Sequence, residues 1–202
     1  MSIANYFTFF RVFISPIFLF IYIQHDALGI SYKLLPYVLI ALLGVSEFSD
    51  AFDGYIARKY NEVTDFGKIL DPMVDSVYRI SVFLTFTLPP INVPMLLIFI
   101  FLYRDSVTGT LRTVCAFKGI ALAARLSGKI KAIVQALAAC AILILMIPHS
   151  LGNLSTHTLQ LVSRWIVGIA GMYAILSGID YLIANRIYLS KIFRSKPIKE
   201  NV

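Results

Sequence analysis

Six runs of roughly 20 mostly apolar residues, separated by short polar breaks, fill almost the whole chain. They fall at about 5–23, 34–58, 71–88, 93–117, 128–147 and 159–187. About 20 helical residues cross the hydrocarbon layer of a bilayer, and a helix satisfies its own backbone hydrogen bonds where no water can do so. The expected fold is therefore all-α: an integral membrane bundle of six transmembrane helices. Of the 202 residues, 58% are hydrophobic and 14% charged, more apolar surface than a soluble domain of this size can cover. No length remains for a separate soluble domain. The first run is read as a retained span rather than a secretory signal, because no basic region precedes it, Arg11 interrupts it and 24–27 lacks a small-residue cleavage pattern.

Cations give an orientation, since Lys and Arg accumulate in short cytoplasmic segments. Arg58, Lys59, Lys68, Lys118, Arg125, Arg186, Lys191, Arg194, Lys196 and Lys199 lie in or beside alternate breaks and in the tail, whereas the opposite breaks hold little besides Lys33. Both termini are expected to be cytoplasmic, with residues 1–187 forming the membrane domain and 188–202 a basic cytoplasmic tail. The net charge of +7 is explained by this topology and by contact with anionic membrane lipids, and no nucleic-acid partner is expected. Cys115 and Cys140 lie in or beside apolar segments and read as free thiols. His25, His149 and His157 fall in loops on the side opposite the cations and make a poor metal set.

The stretch from Ser49 to Asp75, SDAFDGYIARKYNEVTDFGKILDPMVD, carries the chemistry. On a helix, Asp50, Asp53, Gly54 and Ala57 fall at about 0°, 300°, 40° and 340°, one narrow stripe of two carboxylates and two small residues. Gly67, Asp71 and Asp75 fall at about 0°, 40° and 80° on the next helix, and the short polar turn that joins the two helices requires them to lie side by side. Any one of these aspartates alone would most simply sit in water or pair with a lysine. Four together at the ends of membrane spans would repel one another and lose hydration, at a cost of several kcal/mol unless a cation offsets it. Oxygen-only ligands favour Mg²⁺, Mn²⁺ or Ca²⁺ over zinc, and such a set could bridge a pair of ions. The segment 34–49 gives about 24 Å of helix rise, which puts Asp50 near the edge of the hydrocarbon layer.

DxxDGxxAR, eight further residues and GxxxDxxxD resemble the signature of the CDP-alcohol phosphotransferase family at every fixed position from Asp50 to Asp75. The six-run layout extends the resemblance to residues 1–187. It implies transfer of a phosphatidyl or similar group from a CDP-linked donor such as CDP-diacylglycerol to an alcohol, with release of CMP. By the family pattern Asp50, Asp53, Asp71 and Asp75 would hold metal, Mg²⁺ or Mn²⁺ and two ions, and Asp75 would also be the catalytic base. Asp53, Gly54, Ala57, Arg58 and Gly67 would bind the donor. The resemblance further implies a homodimer, while a compact chain without a targeting extension fits a bacterial inner membrane and the cation pattern puts the site on the cytoplasmic side.

Weaker matches point to members whose acceptor is glycerol 3-phosphate. Asn5, Thr8 and Arg11 resemble an NxLTxxR opening, and Arg104–Asp105, Leu111–Arg112 and the GKIK of residues 128–131 resemble RE, LR and GKxKT motifs. Arg104, Arg112, Lys129 and Lys131 would then supply a basic pocket for the acceptor phosphate. The two lysines could instead mark a cytoplasmic helix start. Ser76 stands where such members commonly have Lys, and Ala132 where they have Thr, so inositol phosphate, serine or phosphatidylglycerol stay open as acceptors. Arg79, one helical turn after Asp75, could steady that carboxylate, contact phosphate or pair with a neighbouring helix, and it is left outside the core site together with Asp180, read as a structural partner for a cation. A cation transporter would need carboxylates near mid-bilayer with access from both sides, and a prenyl transferase a tighter DDxxD spacing.

Overall fold

A computed structural model describes residues 3–59, 65–117 and 125–194, with side chains at 12–49, 72–117 and 125–190. The described residues form six α-helices and no strand: α1 (Ile3–Gln24), α2 (Leu35–Lys59), α3 (Asp65–Thr85), α4 (Met95–Phe117), α5 (Leu126–Ser150) and α6 (Thr156–Arg194). Each apolar run has become one helix. α3 starts six residues before its apolar run, with Asp65 at the positive end of the helix dipole, so Gly67 is already helical. α6 runs seven residues past the expected 187, carrying the first half of the basic tail. α5 stops at Leu151 and Gly152, where φ of +81° suits a residue without a Cβ and its N–H reaches the His149 carbonyl at 3.0 Å.

Around the bundle, neighbours follow the order α1, α2, α5, α6, α4, α3 and back to α1, with α3 also touching α5 across the middle. Side-by-side packing of α2 and α3 is therefore not what forms among the described residues. α1 packs on both of them and stands between, presenting Ile14, Phe18 and Tyr22, one residue per turn, as a buried stripe. The aspartate-bearing α2 and α3 remain in one half of the ring, with α1 and α5 as the other two walls.

An aromatic core holds α1, α3 and α4 together. Phe83 meets Phe101 at 4.9 Å between ring centres and Phe86 edge-on at 5.9 Å, and Phe86 meets Phe18 at 6.3 Å. α6 approaches α4 through small residues: a Cβ on Gly171 would come to 3.6 Å from Ile100, and one on Gly178 to 3.2 Å from the Arg104 stem.

At one end the loops are knitted together. The Tyr22 hydroxyl donates to the Pro89 carbonyl at 3.0 Å and Gln160 donates to the Pro90 carbonyl at 3.1 Å. Tyr32 Oη lies 2.8 Å from His149 Nδ1, and His149 Nε2 lies 3.1 Å from Thr156 Oγ1.

Large apolar side chains also face outward, among them Phe13, Leu96, Leu137, Trp165 and Met172, each more than three-fifths exposed. Water would penalise such a surface, whereas acyl chains solvate it. α5 and residues 156–190 of α6 are each long and apolar enough to cross a membrane, and shorter apolar stretches occupy 12–24 and 35–49. The protein is a membrane protein built as an all-helical bundle.

Candidate active site

Seven of the expected site residues lie on helices whose backbone is described although their side chains are not. Asp50, Asp53, Gly54, Ala57 and Arg58 belong to the continuous α2, and Gly67 and Asp71 to α3. The side chains of all seven lie outside the described residues, and so do those of Asn5, Thr8 and Arg11. Asp75 is described: it sits half-buried on α3, two turns after Gly67, and has a partner of its own. Among the described residues no three of His, Cys, Asp and Glu come together as a metal set. The donor chemistry of Asp50, Asp53, Asp71 and Asp75 is nevertheless all carboxylate, on two helices of one half-ring, which fits a hard divalent cation.

Next to Asp75 the structure assembles a charged centre. Asp105 on α4 is buried, its side chain 4% exposed, and accepts from Lys131 of α5 at 2.6 and 2.7 Å on its two oxygens. Arg104 Nη1 donates to the same carboxylate at 3.0 Å, and the Ser76 hydroxyl, one residue after Asp75, donates at 3.2 Å. Arg104 then reaches α6 through its other terminal nitrogen, which donates to the Ser177 hydroxyl at 2.6 Å. One carboxylate thus gathers side chains from α3, α4 and α5, and Arg104 carries the connection to α6. Gly128, first residue of the GKIK stretch, leaves room for that guanidinium: a Cβ there would lie 3.6 Å from it.

The expected acceptor set is therefore divided by the fold. Arg104 and Lys131 meet at Asp105. Arg112 lies two turns farther along α4, half-buried, with its Nε shielded and unbonded among the described residues. Lys129 is exposed. Asp180 on α6 takes two hydrogen bonds from Arg125, at 2.8 and 3.0 Å, and one from Ser127 at 2.6 Å, which is the structural pairing with a cation that its position suggested.

Two residues of this region stood outside the expected site set. Asp105 was legible only as half of an Arg–Asp pair, and its bond to a lysine 26 positions away is a tertiary event. Arg79 lines a cleft of about 500 Å³ between α2, α3 and α5, facing Leu43, Gly44 and Glu47 on one wall and Ala132 and Ala136 on another. Its Nε is buried without a hydrogen-bond partner. The i, i+4 spacing from Asp75 was the available signal.

A second groove, of about 480 Å³, runs between α4 and α6 past Phe99, Tyr103, Ile175 and Ile179 to Arg104, and is almost wholly apolar.

Six helices with outward apolar faces and a buried charged centre at one end define a membrane protein with a polar site built into its bundle. Residues 1–176 match the CDP-alcohol phosphatidyltransferase family, and the chain belongs to that family. It is an enzyme of that class. The chain is 29% identical over 187 residues to a protein of Rickettsia typhi, covering 93% of this chain and 98% of that one. It is 30% identical over 190 residues to a protein of Bacillus subtilis, covering 91% and 95%. Both are named "CDP-diacylglycerol--glycerol-3-phosphate 3-phosphatidyltransferase", as is a Mycoplasma genitalium protein 33% identical over 145 residues, 66% of this chain and 61% of that one.

Proposed function

We propose that this protein transfers the phosphatidyl group of CDP-diacylglycerol to glycerol 3-phosphate, giving phosphatidylglycerol phosphate and CMP in phospholipid biosynthesis. The observation that carries the acceptor is the cationic centre beside Asp75, where Arg104 and Lys131 are held rigidly on Asp105. A phosphorylated alcohol brings about two negative charges, and cations fixed in advance lose little freedom on binding it.

In this reading the acceptor's primary hydroxyl oxygen forms a bond to the lipid-side phosphorus, the bond from that phosphorus to the CMP oxygen breaks, and CMP leaves with the electron pair. Asp75 accepts the hydroxyl proton as general base. Asp50, Asp53, Asp71 and Asp75 would hold Mg²⁺ or Mn²⁺, two ions, which when bound would neutralise the diphosphate and make its phosphorus more electrophilic. Asp53, Gly54, Ala57, Arg58 and Gly67 would bind the nucleotide end of the donor, the small residues leaving it room. Arg104, Arg112, Lys129 and Lys131 would form the acceptor-phosphate set.

Six spans, both termini in the cytoplasm, a cytoplasmic site in a bacterial inner membrane, contacts with membrane lipids and a homodimer complete the reading. It is supported by the position of the cations along the sequence and by the bacterial sources of the relatives.

The test is the purified protein in detergent with CDP-diacylglycerol, Mg²⁺ and separate labelled acceptors, following CMP release and lipid product. CMP and phosphatidylglycerol phosphate are expected with glycerol 3-phosphate, and removal of the divalent ion or Asp75→Asn should lower turnover by at least about 100-fold. Product formed only with inositol phosphate, serine or phosphatidylglycerol would reassign the acceptor.

A further inference from the structure

We propose that Arg79 selects the phosphorylated acceptor, binding its phosphate in the cleft between α2, α3 and α5, one helical turn from Asp75. This rests on the reaction proposed above and adds to it a residue outside the expected acceptor set.

Arg79 lies one turn from Asp75 on α3, and Arg104 and Lys131 meet at Asp105, which Ser76 also bonds, but the bonding of the three cations differs. Lys131 spends its ammonium on both oxygens of Asp105, and Arg104 divides its terminal nitrogens between Asp105 and Ser177. Both are already bonded within the protein and are held in place by those bonds. Arg79 makes no bond to Asp105, its Nε is buried and unpartnered, and its side chain lines the cleft. A planar guanidinium with a donor shielded from water is suited to a planar, bidentate oxyanion contact, and phosphate is the anion that the acceptor brings.

Position adds a second argument. Arg79 follows Asp75 by four residues, about 6 Å of helix rise, so both project from neighbouring turns of one side of α3. A three-carbon alcohol phosphate can bridge about one such turn, its phosphate at Arg79 and its far hydroxyl at Asp75. The cleft walls include the narrow residues Gly44, Ala132 and Ala136, which leave space for a small ligand, together with the larger Ile40, Leu43, Ile133 and Leu137. Glu47, across the cleft, is the carboxylate that would compete with the acceptor for Arg79.

The experiment compares the full chain with its Arg79→Gln and Arg79→Lys variants in detergent, with CDP-diacylglycerol and Mg²⁺. KM is measured for each substrate, and inorganic phosphate is titrated as a competitor of glycerol 3-phosphate. Arg79→Gln should raise KM for glycerol 3-phosphate about 10- to 100-fold and weaken phosphate inhibition by about 10-fold, with KM for CDP-diacylglycerol moving less than about threefold. Arg79→Lys should fall between wild type and Arg79→Gln; if Arg79→Gln does not fold, Arg79→Lys carries the same comparison. Equal changes in both KM values, unaltered phosphate inhibition, or recovery in Arg79→Gln/Glu47→Gln would make Arg79 a structural counter-ion and overturn the proposal. A wild type that uses glycerol 3-phosphate while Arg79→Gln keeps its KM sinks Arg79 alone; a wild type that releases no CMP with this acceptor sinks the reaction and the inference together.

Discussion

At the end of the bundle carrying Tyr32, Pro89 and His149, helices and loops are joined by neutral hydrogen bonds and aromatic contacts. Tyr22 and Gln160 bond to loop carbonyls, and Tyr32, His149 and Thr156 form a chain across three segments. The opposite end is joined by ions: Asp105 with Lys131 and Arg104, and Asp180 with Arg125. Both tie several helices, but their costs differ. A neutral hydrogen bond is satisfied once and asks nothing further of its surroundings, whereas a buried ion must be compensated in every state of the protein. One end can be a simple closure, while the other must keep charge available for chemistry and hold it in place between turnovers.

Removing the hub should open the widest gap between the two ends. Asp105→Asn leaves Lys131 and Arg104 buried without their carboxylate and is expected to cost about 3–5 kcal/mol in unfolding measurements in detergent. Asp105→Asn/Lys131→Met, which removes the pair, should recover most of that stability without recovering activity. If the single variant unfolds like wild type, the charged end is not held by this pair.

The aromatic core comes next. Phe86→Ala, at a fully buried ring touching Phe18 and Phe83, should cost about 2–3 kcal/mol through the cavity it leaves, with KM values unchanged in the folded fraction. A large shift in KM would show that packing at the neutral end reaches the site.

Tyr22→Phe deletes one neutral tie to the Pro89 carbonyl, and about 0.5–1.5 kcal/mol is expected from the same measurement. A loss as large as that of Asp105→Asn would erase the distinction between the ends. Asp180→Asn should have the smallest effect, because its pair with Arg125 is exposed on both sides, and added salt should shrink the difference further. An effect insensitive to salt would mean that this pair acts as a buried one.

Much of the fold was legible because each helix writes its own signal. Apolar runs announced all six helices, and α2 and α4 begin and end within two residues of their runs. The ends that moved, at Asp65 and Arg194, lie where polar sequence continues a helix beyond its apolar part. The site was legible in part for the same local reason: Asp50 and Asp53, or Asp71 and Asp75, are one turn apart on a helix, so their spacing already carries their chemistry. Lys131 shows the limit. Its place in a GKIK stretch suggested a phosphate ligand, and its bonds to Asp105, a residue of another helix, were not legible there.

By itself the sequence determined six helices, a membrane setting and the spacing of four aspartates, because hydrophobic length and helical periodicity are properties of neighbouring residues. Tertiary structure alone decided that, among the described residues, α1 packs between α2 and α3, that Asp105 binds Lys131 and Arg104, and that Arg79 faces a cleft with an unpartnered donor. Those outcomes depend on which helices meet, and a buried charge takes its role from the partner that packing brings within reach.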